Sequence, residues 1–291
     1  MNLLRLSLLL CSLLACTGLA ADARAGAGPA SKRPVVRVAV VGGLQASGVW
    51  PRLAIAAGQA LDMDIRTVAA SPKEGVLPAF SDNRAEILLI HASDEAAALE
   101  ASELAGPLRT FAFNEHVIVG PDHDPLRLRE TGSGVEALRR IAAAQAPFIA
   151  LRDPGSYAIV QRLWRQGGVR PDPAWVRWDS GASRHAVLAD VARQGAHAVV
   201  GAIPVATGKL AAPGVAVLLQ GDPLMRRPYV VLTPGPRHAA SVEARHNAER
   251  LADYLVSVAG QAALTHAATD ADGTWLFPRI AGAALLDAAS P

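Results

Sequence analysis

Short apolar runs alternate with longer amphipathic stretches along most of this 291-residue chain. The run Val35–Val41 is rich in β-branched side chains, and Val49–Leu61 follows it with apolar positions at helical spacing. Gly42 and Gly43 stand between the two and predict a tight turn. The repeated succession of strand, loop and helix indicates βαβ units around a mainly parallel sheet. The pattern therefore predicts an α/β fold.

The remaining elements follow from the same two periodicities. Further strands are predicted over residues 65–69, 86–91, 109–113, 116–121, 147–151, 196–200, 215–219 and 228–232. Further helices are predicted over residues 94–102, 135–145, 157–166, 183–194 and 242–259.

Two consecutive apolar segments within residues 109–121 interrupt this rhythm. They follow each other with almost no helix between them, as a chain passing from one lobe to another would. Residues 228–232 supply the return crossover. We therefore predict a first lobe from residues 35–113 plus 232–291 and a second lobe from residues 114–231.

The chain opens with the features of a signal peptide. Arg5 precedes an apolar run over residues 6–15 that is too short to span a bilayer, and small residues follow it. Residues 1–25 are therefore predicted to be a leader and residues 26–34 a flexible tether. Two processing routes are open, ordinary cleavage or lipidation of Cys16 in the lipobox-like sequence LLAC. Both routes predict a periplasmic or otherwise exported protein.

Composition narrows the functional classes. Both cysteines, Cys11 and Cys16, lie in the predicted leader, so the mature chain is expected to have no disulfide and no thiolate metal site. The net charge is only +2 and aromatic residues make up 4% of the chain, which suits neither phosphate neutralisation nor base stacking. Nucleic acid is therefore not an expected partner.

The histidines do not indicate a metal site. None of the eight falls at metal-ligand spacing. Asp122-His123-Asp124 is better explained by solvated charges in a loop, and His238 and His246 are expected on or near one surface helix. The chain also has no nucleophile elbow, P-loop, dinucleotide fingerprint or HExxH run. We therefore predict no metal ion, no cofactor and no catalytic residues.

Several segments resemble the tungstate-binding receptors of bacterial ABC importers, within the class of type II periplasmic binding proteins. They are ILLIHA at residues 87–92, FNEHVIVGP at 113–121, APF at 146–148, GDPL at 221–224 with Pro228-Tyr229, and AGQA at 259–262. Their order and spacing cover nearly the whole predicted mature chain. The resemblance implies a type II fold with two lobes joined by crossover strands. Such a receptor closes on a small anion and delivers it to an ABC permease in the inner membrane, and we expect it to be a monomer.

The ligand loops differ from the pattern of that family. Residues 40–44 (VVGGL) stand where the family has threonine and serine hydroxyls, with Ser47 just beyond them. Residues 71–75 (SPKEG) replace a glycine-rich loop, and residues 201–203 (GAI) replace a loop of Thr-Asp-Arg type. The weaker donor set predicts a lower affinity for tungstate.

Helix-start loops provide the candidate ligand-binding residues, because backbone N–H groups, hydroxyls and a fixed guanidinium hold an oxyanion well. These residues are Gly42, Gly43 and Ser47 after the first strand, Arg152, Gly155 and Ser156 on the second lobe, and Ser180, Ser183 and Arg184 before a later helix. An ordinary turn explains the glycine pair equally well, and a capped helix start explains the last group better. Replacement of Arg152 by alanine is predicted to abolish anion binding.

The sequence thus predicts the binding component of an ABC importer for a tungstate- or molybdate-like oxyanion. Two alternatives remain open at this point. One is a receptor of the same kind for a different small ligand. The other is a periplasmic enzyme or sensory domain built on the same fold, since a fold does not determine a function.

Overall fold

A computed structural model describes residues 33–181, 186–206, 208–269 and 276–278. The predicted leader with Cys16, nearly all of the predicted tether, and the candidate residues Ser183 and Arg184 lie outside the described residues.

The described residues form ten strands. They are β1 (Val35–Val41), β2 (Asp64–Ser71), β3 (Ile87–His91), β4 (Arg109–Pro121), β5 (Phe148–Ala150), β6 (Val176–Trp178), β7 (His197–Gly201), β8 (Val215–Leu219), β9 (Arg226–Leu232) and β10 (Leu276–Pro278).

Ten α-helices lie in the same part of the chain. They are α1 (Gly42–Ala46), α2 (Val49–Leu61), α3 (Lys73–Ser81), α4 (Asp94–Ala101), α5 (Gly134–Ala143), α6 (Pro154–Gly167), α7 (Val187–Gln194), α8 (Ala202–Ala206), α9 (Val242–Val256) and α10 (Val258–Thr269). Short 3-10 helices cover Leu128–Glu130 and Pro223–Met225. None of these helices combines the length and the apolar character that a bilayer-spanning segment needs.

Strand β4 links two groups of strands. The strand order is β2-β1-β3-β9-β4-β7-β5-β6, and β8 and β10 also pair with β4. Residues 109–115 of β4 pair with β9, whereas residues 116–121 pair with β7 and β8. Pairing is parallel from β1 to β2 and β3 and from β5 to β6 and β7, and it is antiparallel from β3 to β9 and from β9 to β4. The one long strand therefore belongs to both groups.

Strands β1 and β3 are largely buried on both faces, which is why they are apolar without alternation, whereas β2 at the edge is mostly exposed. Successive side chains of β1 point to opposite faces. Val38 and Val40 pack in the cluster that contains Trp50 of α2, while Ala39 packs in the cluster that contains Phe80 of α3. Helices therefore cover both faces of β1.

The prediction of one long C-terminal helix over residues 242–259 is wrong, because this segment contains the end of α9 and the start of α10. Ser257 is extended, with φ −76° and ψ 165°, and ends α9. Its hydroxyl donates to the Tyr254 carbonyl at 2.7 Å and accepts from the Gly260 N–H at 3.1 Å. A methyl group on Gly260 would lie 1.8 Å from the Tyr254 carbonyl oxygen, so the sharp bend requires glycine there.

Two smaller expectations also need correction. Gly42 and Gly43 open the short helix α1, whereas the sequence predicted a turn. His238 is only 3% exposed, with its ring centroid 4.7 Å from that of Phe80 and Nε2 2.8 Å from the Phe80 carbonyl oxygen. It is therefore a core residue, although the sequence suggested a surface position.

Candidate functional site

Five polar side chains share one face of the sheet where β3, β9 and β4 run side by side. His91 lies opposite Tyr229 in the β3–β9 pair, and Asn114 lies opposite Arg227 in the β9–β4 pair. Residues two apart on a strand point to the same face, so His116 joins Asn114 there and Arg227 joins Tyr229. We call these five residues the crossover cluster.

Aromatic stacking fixes one end of the crossover cluster. The rings of His91 and Tyr229 stack with centroids 4.1 Å apart and planes inclined by 26°. A methyl group on Gly43 would lie 3.6 Å from the Tyr229 hydroxyl oxygen, so the start of α1 approaches the same place. Burial raises the pKa of Tyr229, with Arg227 acting in the opposite direction, so the phenol stays protonated and can donate a hydrogen bond.

Lys73 adds a second cation beside this end of the cluster. It is the first residue of α3, and its ammonium pairs with the Glu95 carboxylate on α4. This hydrogen bond is the largest cause of the lowered pKa of Glu95, about 2. Burial lowers the pKa of His91 well below its ordinary value, and Arg227, His116 and Lys73 lower it further. His91 is therefore a neutral imidazole in a positive field.

Arg227 has most of its hydrogen-bonding capacity unused. Among the described residues, its one hydrogen bond runs from Nη2 to the Ala92 carbonyl at 3.3 Å, and no carboxylate forms a salt bridge with it. Burial lowers its pKa, whereas Asp153, Tyr229 and Glu95 favour the cation. A guanidinium remains charged at neutral pH and has five N–H donors in a rigid fork. This side chain can therefore hold an anion through two parallel hydrogen bonds.

Two buried polar atoms of the cluster have no partner in the described part of the chain. They are Nδ1 of His116, whose residue is 4% exposed, and Oδ1 of Asn114, whose residue is 6% exposed. Burial lowers the pKa of His116 to about 4; Asp153 opposes this effect and Arg227 adds to it. A buried polar atom without a partner is costly, so both atoms indicate a site that is completed by a ligand.

Helix α6 begins next to the cluster, and its own carboxylate occupies its N-terminus. Asp153 accepts hydrogen bonds from the Gly155 N–H at 3.0 Å and from the Ser156 N–H at 3.2 Å. Desolvation raises the pKa of Asp153, but the Ser156 hydroxyl and N–H, His116 and the Gly155 N–H together lower it below its ordinary value. The first free N–H groups of α6 are therefore already satisfied by an internal anion.

Gly155 brings the second candidate loop into contact with the crossover cluster. A methyl group on Gly155 would lie 2.8 Å from Arg227 Nη1, 3.2 Å from His116 Nε2 and 3.2 Å from Asp153 Oδ1. The absence of a side chain is what permits this approach. Gly43 and Gly155, predicted on separate helix-start loops, thus both border the cluster. Ser156 is buried and contacts it through Asp153.

The structure gives Arg152 different neighbours. Its backbone N–H donates to Asp179 Oδ1 at 3.0 Å, and its Nε lies 3.7 Å from the same oxygen. The guanidinium lies 5.5 Å from the centroid of Trp178, whose ring stacks with that of Tyr157. The side chain of Arg152 is 64% exposed. This residue therefore contacts the end of β6, whereas Gly155 and Ser156, three and four positions later, border the cluster.

Ser47 and Gly42 have local roles. The Ser47 hydroxyl donates to the Leu44 carbonyl at 3.1 Å and accepts from the Val49 N–H at 3.4 Å, which joins α1 to α2. Gly42 lets α1 approach β2, since a methyl group there would lie 3.5 Å from the Ser71 carbonyl carbon. Ser180 is exposed.

Sequence reasoning missed most of the residues that converge here. His91, Asn114, His116 and Tyr229 lie within segments that the sequence interpreted only as strands or as a family resemblance, and Arg227 lies just before the predicted strand 228–232. The available signal was a pair of polar residues two positions apart in a strand that is otherwise buried, as in Asn114 and His116. The described residues contain no group of three or more His, Cys, Asp and Glu side chains that could hold a metal ion.

Comparisons with known proteins identify the fold of this chain and the proteins that it resembles. No family model matches the chain. It is 31% identical over 97 residues to the tungstate-binding protein TupA of Peptoclostridium acidaminophilum, and 29% identical over 94 residues to a putative ABC transporter anion-binding protein of Haloferax volcanii. These matches cover 31% and 32% of this chain. The chain spans about a third of the length of these curated relatives, namely 33% and 28%.

The agreement in fold extends over much more of the chain. The structure of the tungstate-binding protein TupA from Desulfovibrio alaskensis G20 matches with a TM-score of 0.68 at 22% identity, covering 85% of this chain and 100% of that one. The chain therefore has the two-lobed α/β fold of the type II periplasmic binding proteins, and it resembles the tungstate-binding solute-binding proteins of bacterial ABC importers.

Proposed function

We propose that this protein is the solute-binding component of an ABC importer and that it binds a small anion at the crossover cluster. The main support for this proposal is the partly buried guanidinium of Arg227. It has one hydrogen bond in the described structure and no carboxylate partner. Nδ1 of His116, which has no hydrogen-bond partner within the described ranges, lies in the same cluster. A desolvated cation with free donors, beside unsatisfied polar atoms, is the arrangement that a small anion completes.

The proposed site combines the crossover cluster with the two predicted helix-start loops. Gly43 borders it from the start of α1, with Gly42 beside it against β2, and Gly155 and Ser156 border it from the start of α6. Its cations are Arg227 and Lys73. Arg152 belongs to the rim in this proposal, and Ser47, Ser180, Ser183 and Arg184 stay predictions from the sequence.

Anion capture is proposed to use closure of two lobes. The predicted lobes, residues 35–113 plus 232–291 and residues 114–231, meet within β4 and near the end of β9. The proposal is supported by β4, because its pairing partners change between residues 115 and 116. Hinge closure of this kind needs no covalent chemistry, so the protein is proposed to present a loaded site to an inner-membrane permease and not to act as an enzyme.

The proposed ligands are a tungstate- or molybdate-like oxyanion and, as the alternative, another small anion. A screen of ligand-induced melting shifts with tungstate, molybdate, sulfate, phosphate and simple carboxylates tests this proposal. A ligand that binds only the native state stabilises it by about 2.7 kcal/mol at a concentration one hundred times its Kd. At least one anion is expected to raise the melting temperature of the parent. Absence of any shift, confirmed by calorimetry, would contradict the proposal.

Arg227→Ala and Arg139→Ala form a matched pair for the same screen. Both arginines donate a hydrogen bond to a backbone carbonyl, Arg227 to Ala92 and Arg139 to Gly167. Arg139 lies on the exposed side of α5. The melting shift is expected to disappear with Arg227→Ala and to persist with Arg139→Ala.

Export is proposed to follow from the N-terminal segment. Mass spectrometry of the mature N-terminus distinguishes the two routes, since it detects either a diacylglyceryl group on Cys16 or a free residue near Gly26. An unprocessed Met1 would contradict both routes. The protein is also proposed to be a monomer, which sedimentation of the purified chain tests.

A further inference from the structure

The proposed site contains hydrogen-bond acceptors as well as donors. The donors are the free N–H groups of Arg227, the Tyr229 hydroxyl and the ammonium of Lys73. The acceptors are the Asp153 carboxylate and Oδ1 of Asn114, for which the described residues supply no donor. A carboxylate can accept about four hydrogen bonds, and Asp153 accepts from two N–H groups and one hydroxyl of its own helix. Asp153 therefore still has capacity for a donor.

Charges of both signs act on the cluster. Lys73, Arg227 and Arg162 are positive, whereas Glu95 and Asp153 are negative. His91 and His116 are neutral imidazoles, for which burial is the main cause. A fully deprotonated dianion would therefore meet carboxylates as well as cations, and Asp153 would repel it.

Arg227 and Asp153 are close without pairing. Arg227 Nη1 and Asp153 Oδ1 lie 2.8 Å and 3.2 Å from the same point, the position of a methyl group on Gly155. The two side chains influence each other electrostatically, but they form no salt bridge. Two opposite charges held near each other in this way fit a ligand that offers an acceptor to the guanidinium and a donor to the carboxylate.

We propose that Asp153 determines the specificity of the site, so that it selects an anion that carries its own hydrogen-bond donor over one that is fully deprotonated. The inference rests on the proposed function, since it concerns the ligand of the same site. The ligand class is a small oxyanion or carboxylate with a hydroxyl group. An analogue without the hydroxyl leaves the remaining acceptor position of Asp153 desolvated and without a donor, which is how a polar site rejects a ligand of similar size.

Two matched pairs of anions test the inference with the parent protein alone. Glycolate and acetate have the same charge and differ in one hydroxyl group. Hydrogen phosphate and sulfate are tetrahedral dianions that differ in one proton, provided that the pH lies above the second pKa of phosphoric acid. Titration calorimetry of the full chain at constant ionic strength measures the affinity for each, and for tungstate. The hydroxyl-bearing member is expected to bind at least about tenfold more tightly in one pair or both.

Asp153→Asn tests the residue itself. Asparagine is also a good helix N-cap, so α6 keeps its start. The variant removes the negative charge and offers an amide donor, so its affinity for sulfate and tungstate is expected to rise about tenfold or more. Its preference for the hydroxyl-bearing anions is expected to disappear. Asp172→Asn is the matched control, because the exposed Asp172 also accepts from a backbone N–H, that of Ala174 at 2.8 Å. This control is expected to keep the parental affinities.

The outcomes separate the inference from the proposed function. Equal binding within both pairs by the parent overturns the inference and leaves anion binding intact. A parental preference that Asp153→Asn retains also overturns it, since another residue then makes the selection. No binding of any anion by the parent overturns the proposed function and the inference together. If Asp153→Asn fails to fold, the two pairs measured with the parent still decide whether the selectivity exists.

Discussion

Two arginines of this protein lie near the start of the same helix, and their surroundings differ in every respect that matters for anion binding. Arg152 is mostly exposed and already contacts Asp179 and Trp178. Arg227 is partly buried, and it makes one hydrogen bond among the described residues. Arg152 was the candidate from the sequence because it lies in a helix-start loop. Arg227 is the better candidate in the structure, because its N–H donors are largely unused and its surroundings are partly desolvated. The value of a cation for binding thus depends on its partners and its solvation.

We expect the largest effect on anion affinity from the removal of Arg227. Arg227→Ala deletes at least two charge-assisted hydrogen bonds to the proposed anion, each worth roughly 1.5–3 kcal/mol. We expect the affinity to fall by about two to four orders of magnitude, measured by titration calorimetry with whichever anion gives the largest melting shift. Arg227→Lys keeps the charge and loses the planar fork, so we expect an intermediate loss. Unchanged affinity in Arg227→Ala would place the anion elsewhere.

The pH dependence of stability tests whether His116 of the crossover cluster is buried as a neutral imidazole. The pKa of His116 is about 4 in the folded protein and about 6.5 in an unfolded chain, so the unfolded state binds the proton first as the pH falls. The contribution of this residue to stability is complete above about pH 6.5 and declines down to about pH 4, by up to about 3 kcal/mol. Burial lowers the pKa values of His91, His197 and His238 too, which adds to the same trend.

Urea unfolding at a series of pH values measures this effect. We expect the free energy of unfolding to depend less on pH in His116→Gln than in the parent. His123→Gln is the control, since the side chain of His123 is 72% exposed, and it should behave as the parent does. A parental curve that is flat between pH 6.5 and 4, or one that His116→Gln leaves unchanged, would show that His116 is not buried as a neutral imidazole.

Gly155→Ala tests the proposed position of the ligand, because Gly155 belongs to the loop of Arg152 but lies next to Arg227. The added methyl group would lie 2.8 Å from Arg227 Nη1 and 3.2 Å from His116 Nε2, so the cluster must open to admit it. We expect the anion affinity to fall about tenfold while α6 stays formed, since overpacking costs about 1–3 kcal/mol and alanine favours the helix. Gly132→Ala is the control, because a methyl group there meets no atom within 4 Å. Parental affinity in Gly155→Ala would argue against the proposed position of the ligand.

Arg152→Ala is expected to have the smallest effect. Exposed ion pairs are worth about 0–1 kcal/mol, and an exposed cation–π contact about 0.5–1 kcal/mol. We therefore expect the anion affinity to change by less than about threefold, measured in the same calorimetric series as Arg227→Ala. The sequence alone predicted that this substitution would abolish binding. If it does so while Arg227→Ala binds normally, Arg152 is the anchoring cation and the order of the two arginines is reversed.

Local patterns were sufficient for much of the secondary structure. The strands Val35–Val41 and Val215–Leu219 and the helix Val49–Leu61 have the bounds that the sequence predicted, because their periodicity and their flanking residues are contained within the segment itself. Strand β6 was not predicted, since its three residues carry no periodic signal. Helix α3 was not predicted either, because Pro72 and Pro78 made the segment resemble a loop.

The sequence by itself determined the α/β class and two of the loops that border the candidate site. Gly43 and Gly155 follow strands and begin helices, and both facts can be read from neighbouring residues. Only the tertiary structure decided which cation joins them. Arg227 reaches the site because β9 lies antiparallel to β4 with Arg227 opposite Asn114, more than one hundred positions earlier in the chain. Such a register depends on strand pairing between distant segments, and no local pattern records it.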